Sequence, residues 1–147
     1  MIIILSMVLF LNTGCKSDNI DGSLSDIMTK LYEGIDSDSL EDLENIVVDS
    51  ENQDYYIGDV SFKYTEALAS EPAMSSVAHS VVLIRVKDTL DIEKYKEEIK
   101  KKVDPEKWVC VSVDEDNVYV ENKGNLILLV MDDENGSAIR DNFLNLE

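Results

Sequence analysis

The chain has 147 residues, the length of one ordinary domain, and its hydrophobic fraction of 44% is sufficient for a buried core. Its 31 acidic residues outnumber its 13 basic residues, which gives a formal net charge of −18. A surface this acidic repels nucleic-acid phosphates and anionic lipid headgroups. The composition therefore excludes nucleic-acid binding, and any membrane attachment has to be hydrophobic or covalent.

The chain begins with eleven residues, Met1 to Leu11, that carry no charge and are almost all apolar. A membrane-spanning helix needs about 20 apolar residues, whereas the apolar core of a signal peptide has about 7–15. Small or polar residues at positions 12–14 then lead into Cys15, and a polar run begins at Lys16. This arrangement resembles the lipobox of bacterial lipoproteins, in which the cysteine is diacylglyceryl-modified and becomes the first mature residue.

The lipobox resemblance implies a signal peptide over residues 1–14, a lipidated Cys15 with a short linker over residues 15–22, and one domain over residues 23–147. The domain would then be lipid-anchored at the extracytoplasmic face of the cell membrane. Two features depart from the pattern. Asn12 occupies the position where Leu is usual, and no basic residue precedes the apolar run, which a true start upstream of Met1 would explain. The alternative is an apolar strand or helix within the fold, with Cys15 packed beside it.

The first half of the predicted domain contains one clear helix and then weaker patterns. An amphipathic helix is predicted from apolar residues at intervals of three and four, namely Leu24, Ile27, Met28, Leu31 and Ile35. Ser23 and Asp26 are positioned to cap this helix, and Gly34 lies near its end. The acidic stretch 36–54 predicts a turn and short irregular structure. The aromatic stretch 55–64 predicts a short strand or a flap over the core.

The second half of the sequence predicts a sheet with helices packed on it. The β-branched run 81–86 indicates a central strand covered on both faces. Asp91 is positioned to cap a helix with the apolar stripe Ile92, Tyr95, Ile99 and Val103, which Pro105 terminates. Strands are predicted over 109–113, 118–120 and 126–131, with a hairpin turn at 122–125. A closing helix opens at 135–137 and turns Ile139, Phe143 and Leu146 inward. The predicted class is α+β, with a single small sheet of about four strands preceded by an N-terminal helix.

Three segments of the second half carry a resemblance to a known family. They are residues 71–74 (Glu-Pro-Ala-Met), 79–82 (His-Ser-Val-Val) and 103–108 (Val-Asp-Pro-Glu-Lys-Trp). Their order and spacing resemble small lipoproteins of Gram-positive, clostridial-type bacteria in the domain of unknown function family 4358, over about residues 23–146. The resemblance implies a lipoprotein setting and an α+β fold. Because that family has no established activity, it implies no functional residue.

His79 is the only histidine in the sequence, and nearby serines and an acid invite comparison with a hydrolase. The neighbours in question are Ser75, Ser76, Ser80 and Glu71. A nucleophile, base and acid usually work beside an oxyanion hole at a glycine-rich turn. The sequence has no Gly-x-Ser-x-Gly motif, and no glycine lies between Gly58 and Gly124. His79 is therefore predicted to be a hydrogen-bonded structural residue at the head of a buried strand, and no catalytic residue is predicted.

Metal and cofactor motifs are equally sparse. One histidine and Cys110 cannot form a zinc or redox-metal cluster if Cys15 carries lipid, which would also exclude an intramolecular disulfide. Cys110 follows Trp108 and Val109, and is predicted to be a small buried thiol in the core. Calcium needs only oxygen ligands, so the carboxylates of two acidic turns are weak cation candidates: Asp114, Asp116, Asp132, Asp133 and Glu134. Solvated loops and helix caps are the alternative reading of those turns. No cofactor is predicted.

The function predicted from these patterns is that of a lipid-anchored, extracytoplasmic lipoprotein domain. It would be a non-enzymatic binding module whose partners are the membrane, through lipid on Cys15, and an envelope protein. The alternative is a weak divalent-cation-binding domain that uses the acidic loops. An enzyme centred on His79 is the least favoured hypothesis.

Overall fold

The computed structural model of the protein describes residues 19–36 and 38–147. In this part of the chain the strands are β1 (Leu43–Val47), β2 (Tyr64–Pro72), β3 (Ser80–Val86), β4 (Val118–Lys123) and β5 (Leu126–Met131). They form one sheet with the order β1-β2-β3-β5-β4, in which every neighbouring pair is antiparallel. The predicted α+β class is confirmed, although the sheet has five strands where about four were predicted.

Four α-helices accompany the sheet within the described residues: α1 (Leu24–Leu31), α2 (Gln53–Ile57), α3 (Ile92–Lys102) and α4 (Gly136–Leu144). Short 3-10 turns at Asp38–Leu40 and Glu115–Asn117 precede β1 and β4. No helix in residues 19–36 and 38–147 is long and apolar enough to cross a bilayer.

The predicted N-terminal helix and its cap are confirmed. The Ser23 hydroxyl oxygen accepts a hydrogen bond from the backbone N–H of Asp26 at 3.1 Å, which satisfies one of the first unpaired donors of α1. Four residues of the predicted stripe, Leu24, Ile27, Met28 and Leu31, are buried, whereas Ile35 lies beyond the end of α1 and is half-buried. Gly34 follows the helix with a φ of +74°, a left-handed conformation that glycine adopts without a steric penalty.

The other two predicted helices are also confirmed, but the cap of α3 is not. Ile92 and Ile99 of α3 are buried, and Tyr95 and Val103 pack against the same core. The Asp91 side chain accepts no hydrogen bond from a backbone N–H in the first turn of α3. Instead it pairs with Lys94 at 2.5 Å, because an ammonium group one turn away competes with the backbone for the same carboxylate. In and after α4, the side chains buried are Ile139, Phe143 and Leu146, as predicted.

Three predictions about local structure need correction. The aromatic stretch 55–64 does not form a separate strand: residues 55–57 belong to α2, and Tyr56 and Phe62 pack against the core. Residues 109–113 are irregular, because the chain turns outward after the buried Trp108: Val109 is 63% exposed, and Cys110 is exposed with a φ of +63°. That φ is incompatible with a strand, so Cys110 is not the buried core thiol that was predicted. The stretch predicted to be irregular contains β1, an edge strand whose burial on only part of one side leaves a weak apolar pattern.

The sheet has a separate apolar core on each face. Alternate residues of β3 supply the two cores: Val81 and Leu83 face α1 and α4, whereas Val82 and Ile84 face α2, α3 and Trp108. All six residues of β5 are buried in the same alternating manner. The predicted covering of both faces of these two strands is therefore confirmed. Burying each such aliphatic side chain stabilises the fold by about 1.5–3 kcal/mol.

The strands define two ends of the domain. The proximal end contains the first described residues, which Arg85 holds by donating hydrogen bonds to the carbonyl oxygens of Ile20 at 2.7 Å and Gly22 at 2.8 Å. The backbone N–H of Asn125 donates to the side-chain oxygen of Asn19 at 3.1 Å. The distal end, at the opposite ends of the same strands, contains residues 70–80 and 131–136.

Candidate functional site

Two buried polar clusters lie at the distal end, one on each face of the sheet. Successive side chains of a strand point to opposite faces, so the end of β2 and the start of β3 each contribute one polar residue to each face. Ser70 and His79 lie on the face covered by α1 and α4, whereas Glu71 and Ser80 lie on the face covered by α2 and α3. The sequence therefore builds two sites from adjacent residues.

The first cluster, called here the His79 cluster, consists of His79, Asp132, Tyr32 and Ser70. Nδ1 of His79 lies 2.6 Å from Oδ2 of Asp132, and Nε2 lies 2.9 Å from the Tyr32 hydroxyl. The Tyr32 hydroxyl is in turn hydrogen-bonded to the Ser70 hydroxyl at 3.1 Å. His79 is 0% exposed and Asp132 is 4% exposed. A continuous hydrogen-bonded chain therefore runs from Asp132 to Ser70 through a fully enclosed ring.

The Asp132 carboxylate is held in its ionised form. Burial by itself raises the pKa of Asp132, but the hydrogen bond from His79 and the backbone N–H groups of Asn135 and Glu134 outweigh it and hold the pKa below its usual value. Those two N–H groups donate to Oδ1 at 2.5 and 2.7 Å. Asp132 therefore ties the His79 ring to the chain that leads into α4.

The hydroxyl groups of the His79 cluster can accommodate either charge state of the ring. With a neutral ring that carries its proton on Nδ1, the Tyr32 hydroxyl donates to Nε2 and the Ser70 hydroxyl donates to Tyr32. With a charged ring, both directions reverse. Burial, only partly opposed by the hydrogen bond with Ser70, raises the pKa of Tyr32 well above its usual value. The Tyr32 hydroxyl therefore keeps its proton at neutral pH.

The cluster has the carboxylate–histidine order of a hydrolase base but not the nucleophile. A nucleophilic serine has to lie beside the imidazole and reach the substrate, whereas Nε2 of the enclosed His79 contacts a tyrosine. Of the neighbours considered from sequence, Ser80 and Glu71 contact Lys107 on the opposite face. The structure confirms that His79 is buried and hydrogen-bonded, with partners 47 and 53 residues away in the chain.

The second cluster, called here the Lys107 cluster, surrounds a buried ammonium group. Lys107 pairs with Glu71, and their side chains are only 3% and 7% exposed. The Ser80 hydroxyl lies 3.4 Å from Nζ of Lys107. Burial, opposed by Glu71, lowers the pKa of Lys107 below its usual value. The ammonium group also lies 4.3–5.2 Å from the centres of three aromatic rings, those of Tyr55, Tyr56 and Trp108, a favourable cation–π geometry.

The His79 cluster separates two cavities. One, of about 420 Å³, lies between α1 and the β1–β2 edge and is lined by both Tyr32 and Ser70. Its other walls combine apolar side chains with carboxylates, among them Met28, Leu43 and Glu41. Ligand pockets are typically about 300–1,000 Å³, so this cavity has the size of a small-molecule or side-chain site. The other, of about 220 Å³, is lined by Asp132.

The outer edge of β1 lies beside the larger cavity. The N–H of Val48 donates to the carbonyl of Ala67 at 3.0 Å, and Ala73 donates to Asp42 at 3.4 Å. Hydrogen bonding alternates along an antiparallel strand, so the even-numbered residues of β1 bond to β2. The odd-numbered residues, Leu43, Asn45 and Val47, direct their backbone groups outward, and the side-chain amide of Asn52 donates to the carbonyl oxygen of Val47 at 2.9 Å. The Val47 side chain is 68% exposed.

Three of the five predicted cation candidates, Asp114, Asp132 and Asp133, accept hydrogen bonds from backbone N–H groups. Oδ1 of Asp133 accepts from the N–H of Asp114 and from the side chain of Asn117, both at 2.9 Å. Oδ1 of Asp114 accepts from the N–H of Asp116 at 2.9 Å, and Glu134 is exposed. Over residues 19–36 and 38–147, no group of three or more His, Cys, Asp or Glu residues is placed to hold a metal ion.

No family model, curated protein or solved structure matches the chain. The resemblance to family 4358 and the lipoprotein setting therefore stay predictions. The predicted signal peptide and Cys15 lie outside the described residues.

Proposed function

We propose that the protein is a lipid-anchored, extracytoplasmic binding domain, held by diacylglyceryl-modified Cys15, and that an extended segment of another envelope protein docks along β1. The observation that supports docking is the outward direction of the backbone groups of Leu43 and Asn45 and of the N–H of Val47. An extended segment can pair with such an edge through main-chain hydrogen bonds, and adjoining pockets then select its side chains. The cavity lined by Leu43 and Asn45 supplies such a pocket.

The charge of the neighbourhood indicates which segments would dock. The edge and its flanks carry Glu41, Asp42, Glu44 and Asp49 without a basic residue between them. Carboxylates on an exposed edge strand oppose pairing with a second copy of the same acidic strand. They favour a partner segment that carries lysine or arginine.

The non-enzymatic part of the proposal is supported by the enclosure of the acid–base groups. His79 is fully buried, and its two nitrogens are occupied by Asp132 and Tyr32. The ammonium group of Lys107 is paired with the Glu71 carboxylate in the interior. Groups that must move protons to and from a substrate have to come within hydrogen-bond reach of it, so these interior pairs serve the fold.

We expect Cys15→Ala to release the protein from membranes. Expressed in a bacterial host with lipoprotein processing, the parent protein should begin at Cys15, carry added acyl mass and sediment with membranes, because two acyl chains give stable anchoring. The variant should lack the acyl mass and appear in the soluble fraction. Cys110→Ala is the matched control and should behave as the parent. An unmodified parent chain in the soluble fraction would show that the anchoring proposal is wrong.

We expect a photo-crosslinking residue at Val47, but not one at Val109, to capture a partner protein in intact envelopes. The two valines are matched in exposure, at 68% and 63%, and lie in different parts of the surface. Asn45→Pro should abolish the product, because it removes an outward N–H while leaving the bonds to β2 in place. Equal capture at both valines, or capture that survives Asn45→Pro, would contradict docking at the β1 edge.

A further inference from the structure

We propose that the proximal end of the domain rests on the lipid bilayer, with the Leu90 side chain in the headgroup region, and that the distal end therefore points away from the membrane. This inference rests on the lipid attachment at Cys15 proposed above. It adds an orientation, which attachment alone does not require.

The first argument is the short distance between Cys15 and the proximal end. Asn19, four residues after Cys15, is hydrogen-bonded to Asn125 in the β4–β5 turn. Four residues span at most about 14 Å when fully extended, at 3.3–3.6 Å per residue. Arg85 fixes the direction of the chain beyond this point through the carbonyls of Ile20 and Gly22, and it is itself paired with Glu66 at 2.7 Å. A lipid on Cys15 would therefore hold the proximal end close to the bilayer.

The second argument is the position of Leu90. This residue is 90% exposed in the loop between β3 and α3. The loop starts at the proximal end, because the N–H of Val86 donates to the carbonyl of Asn125 at 2.9 Å. The side chain of Asp88 accepts from the N–H of Leu90 at 2.9 Å, which fixes the turn that presents the leucine. A single exposed leucine is ordinary on a protein surface, but this one lies beside the tethered end.

The third argument is the distribution of charge along the sheet axis. Three exposed lysines, Lys63, Lys87 and Lys94, lie at the proximal end among exposed acidic residues such as Asp88 and Glu93. The distal end carries more carboxylates, in the acidic turns 104–106, 114–116 and 132–134, and the exposed Lys100 and Lys101 lie beside the first two of these turns. Bacterial bilayers with anionic headgroups attract basic residues and repel carboxylates within a Debye length. The proximal end is therefore the end of this acidic domain that an anionic bilayer repels less.

In this orientation the distal end lies well away from the bilayer. The seven-residue strand β3 connects the two ends, and at about 3.3 Å per residue it separates them by about 20 Å. The His79 cluster, the larger cavity and the start of β1 then face the space away from the membrane. A partner could approach β1 without touching lipid.

The orientation can be measured on the acylated protein purified from bacterial membranes and reconstituted in vesicles of phosphatidylcholine and phosphatidylglycerol with brominated acyl chains. Acylation occupies the Cys15 thiol, and Cys110→Ala removes the other one. A bimane fluorophore is then attached at Leu90→Cys or at Met74→Cys. Met74 is the matched control, because it is also an exposed hydrophobic residue, at 66%, and lies at the distal end.

We expect the brominated lipids to quench most of the bimane emission at position 90 and little of it at position 74. The intact mass of each labelled sample reports whether Cys15 is acylated. Acylated protein with equal quenching at the two positions, or with stronger quenching at position 74, overturns the orientation and leaves the anchor standing. Protein without acyl mass overturns both proposals.

Discussion

Asp132→Ala will lower the free energy of unfolding by about 3 kcal/mol or more, because it leaves three buried donors without an acceptor at about 1–3 kcal/mol each. The substitution leaves Nδ1 of the enclosed His79 without its acceptor, and it also removes the acceptor of two backbone N–H groups, those of Glu134 and Asn135. Urea unfolding followed by circular dichroism measures the loss. Asp141→Ala is the control, because Asp141 is exposed on α4; it should change stability by no more than about 0.5 kcal/mol.

The Asp132→Ala loss should depend on pH, with a sign that follows from the direction of the pKa shift. The folded pKa of Asp132 lies below its usual value, so the carboxylate stabilises the fold above the unfolded pKa of about 3.9. That contribution is lost as the pH falls through the folded pKa. The difference between the parent and the variant should therefore shrink as the pH falls into the acid range. A difference that grew on acidification would contradict this assignment.

Lys107→Met will have an effect of similar size, about 3–5 kcal/mol, because it leaves the buried Glu71 carboxylate without its counter-charge. The double variant Lys107→Met with Glu71→Gln should recover much of the loss, since it buries no charge. The coupling energy from a double-mutant cycle in urea measures this difference. Lys101→Met, at a lysine whose side chain is 76% exposed, should have little effect. Additive single losses would mean that Lys107 and Glu71 stabilise the fold independently.

The elements predicted correctly from sequence are those whose pattern is local. The helices α1, α3 and α4 have apolar residues at helical spacing, and the central strands β3 and β5 are continuous apolar runs. In one segment a strand was predicted that does not form, and in another a strand that does form was missed. Residues 109–113 are apolar enough for a strand, but the chain turns outward at Cys110. Strand β1 is mostly exposed, so its sequence lacks the apolar pattern that predicts a strand. In both places tertiary context decides between similar local patterns.

The two distal clusters could not be assembled from the sequence, because their members are distant in the chain. His79 was recognised as a hydrogen-bonded residue, but Tyr32 and Asp132 become its partners only when α1 and β5 pack beside β3. A partial signal existed: His79 immediately precedes one doubly buried strand, and Asp132 immediately follows the other. Polar residues at the adjoining ends of two paired, buried strands are expected to hydrogen-bond to each other, because buried polar groups need partners. Nothing comparable in the sequence linked Lys107 to Glu71.

The strand order also bears on how fast the chain can fold. Most neighbouring strands in the sheet are also neighbours in the sequence: β1 pairs with β2, β2 with β3, and β4 with β5. The exception is the β3–β5 seam, which joins residues 41–51 positions apart, from Arg85 with Leu126 to Ser80 with Met131. Bringing β3 and β5 together closes a long loop of chain, and this costs conformational entropy before the buried contacts of the seam can compensate for it. The seam is therefore the natural rate-limiting contact. Shortening a side chain in the seam, as in Val82→Ala or Leu129→Ala, should slow folding. Substitutions in β1 should instead act mainly on the rate of unfolding.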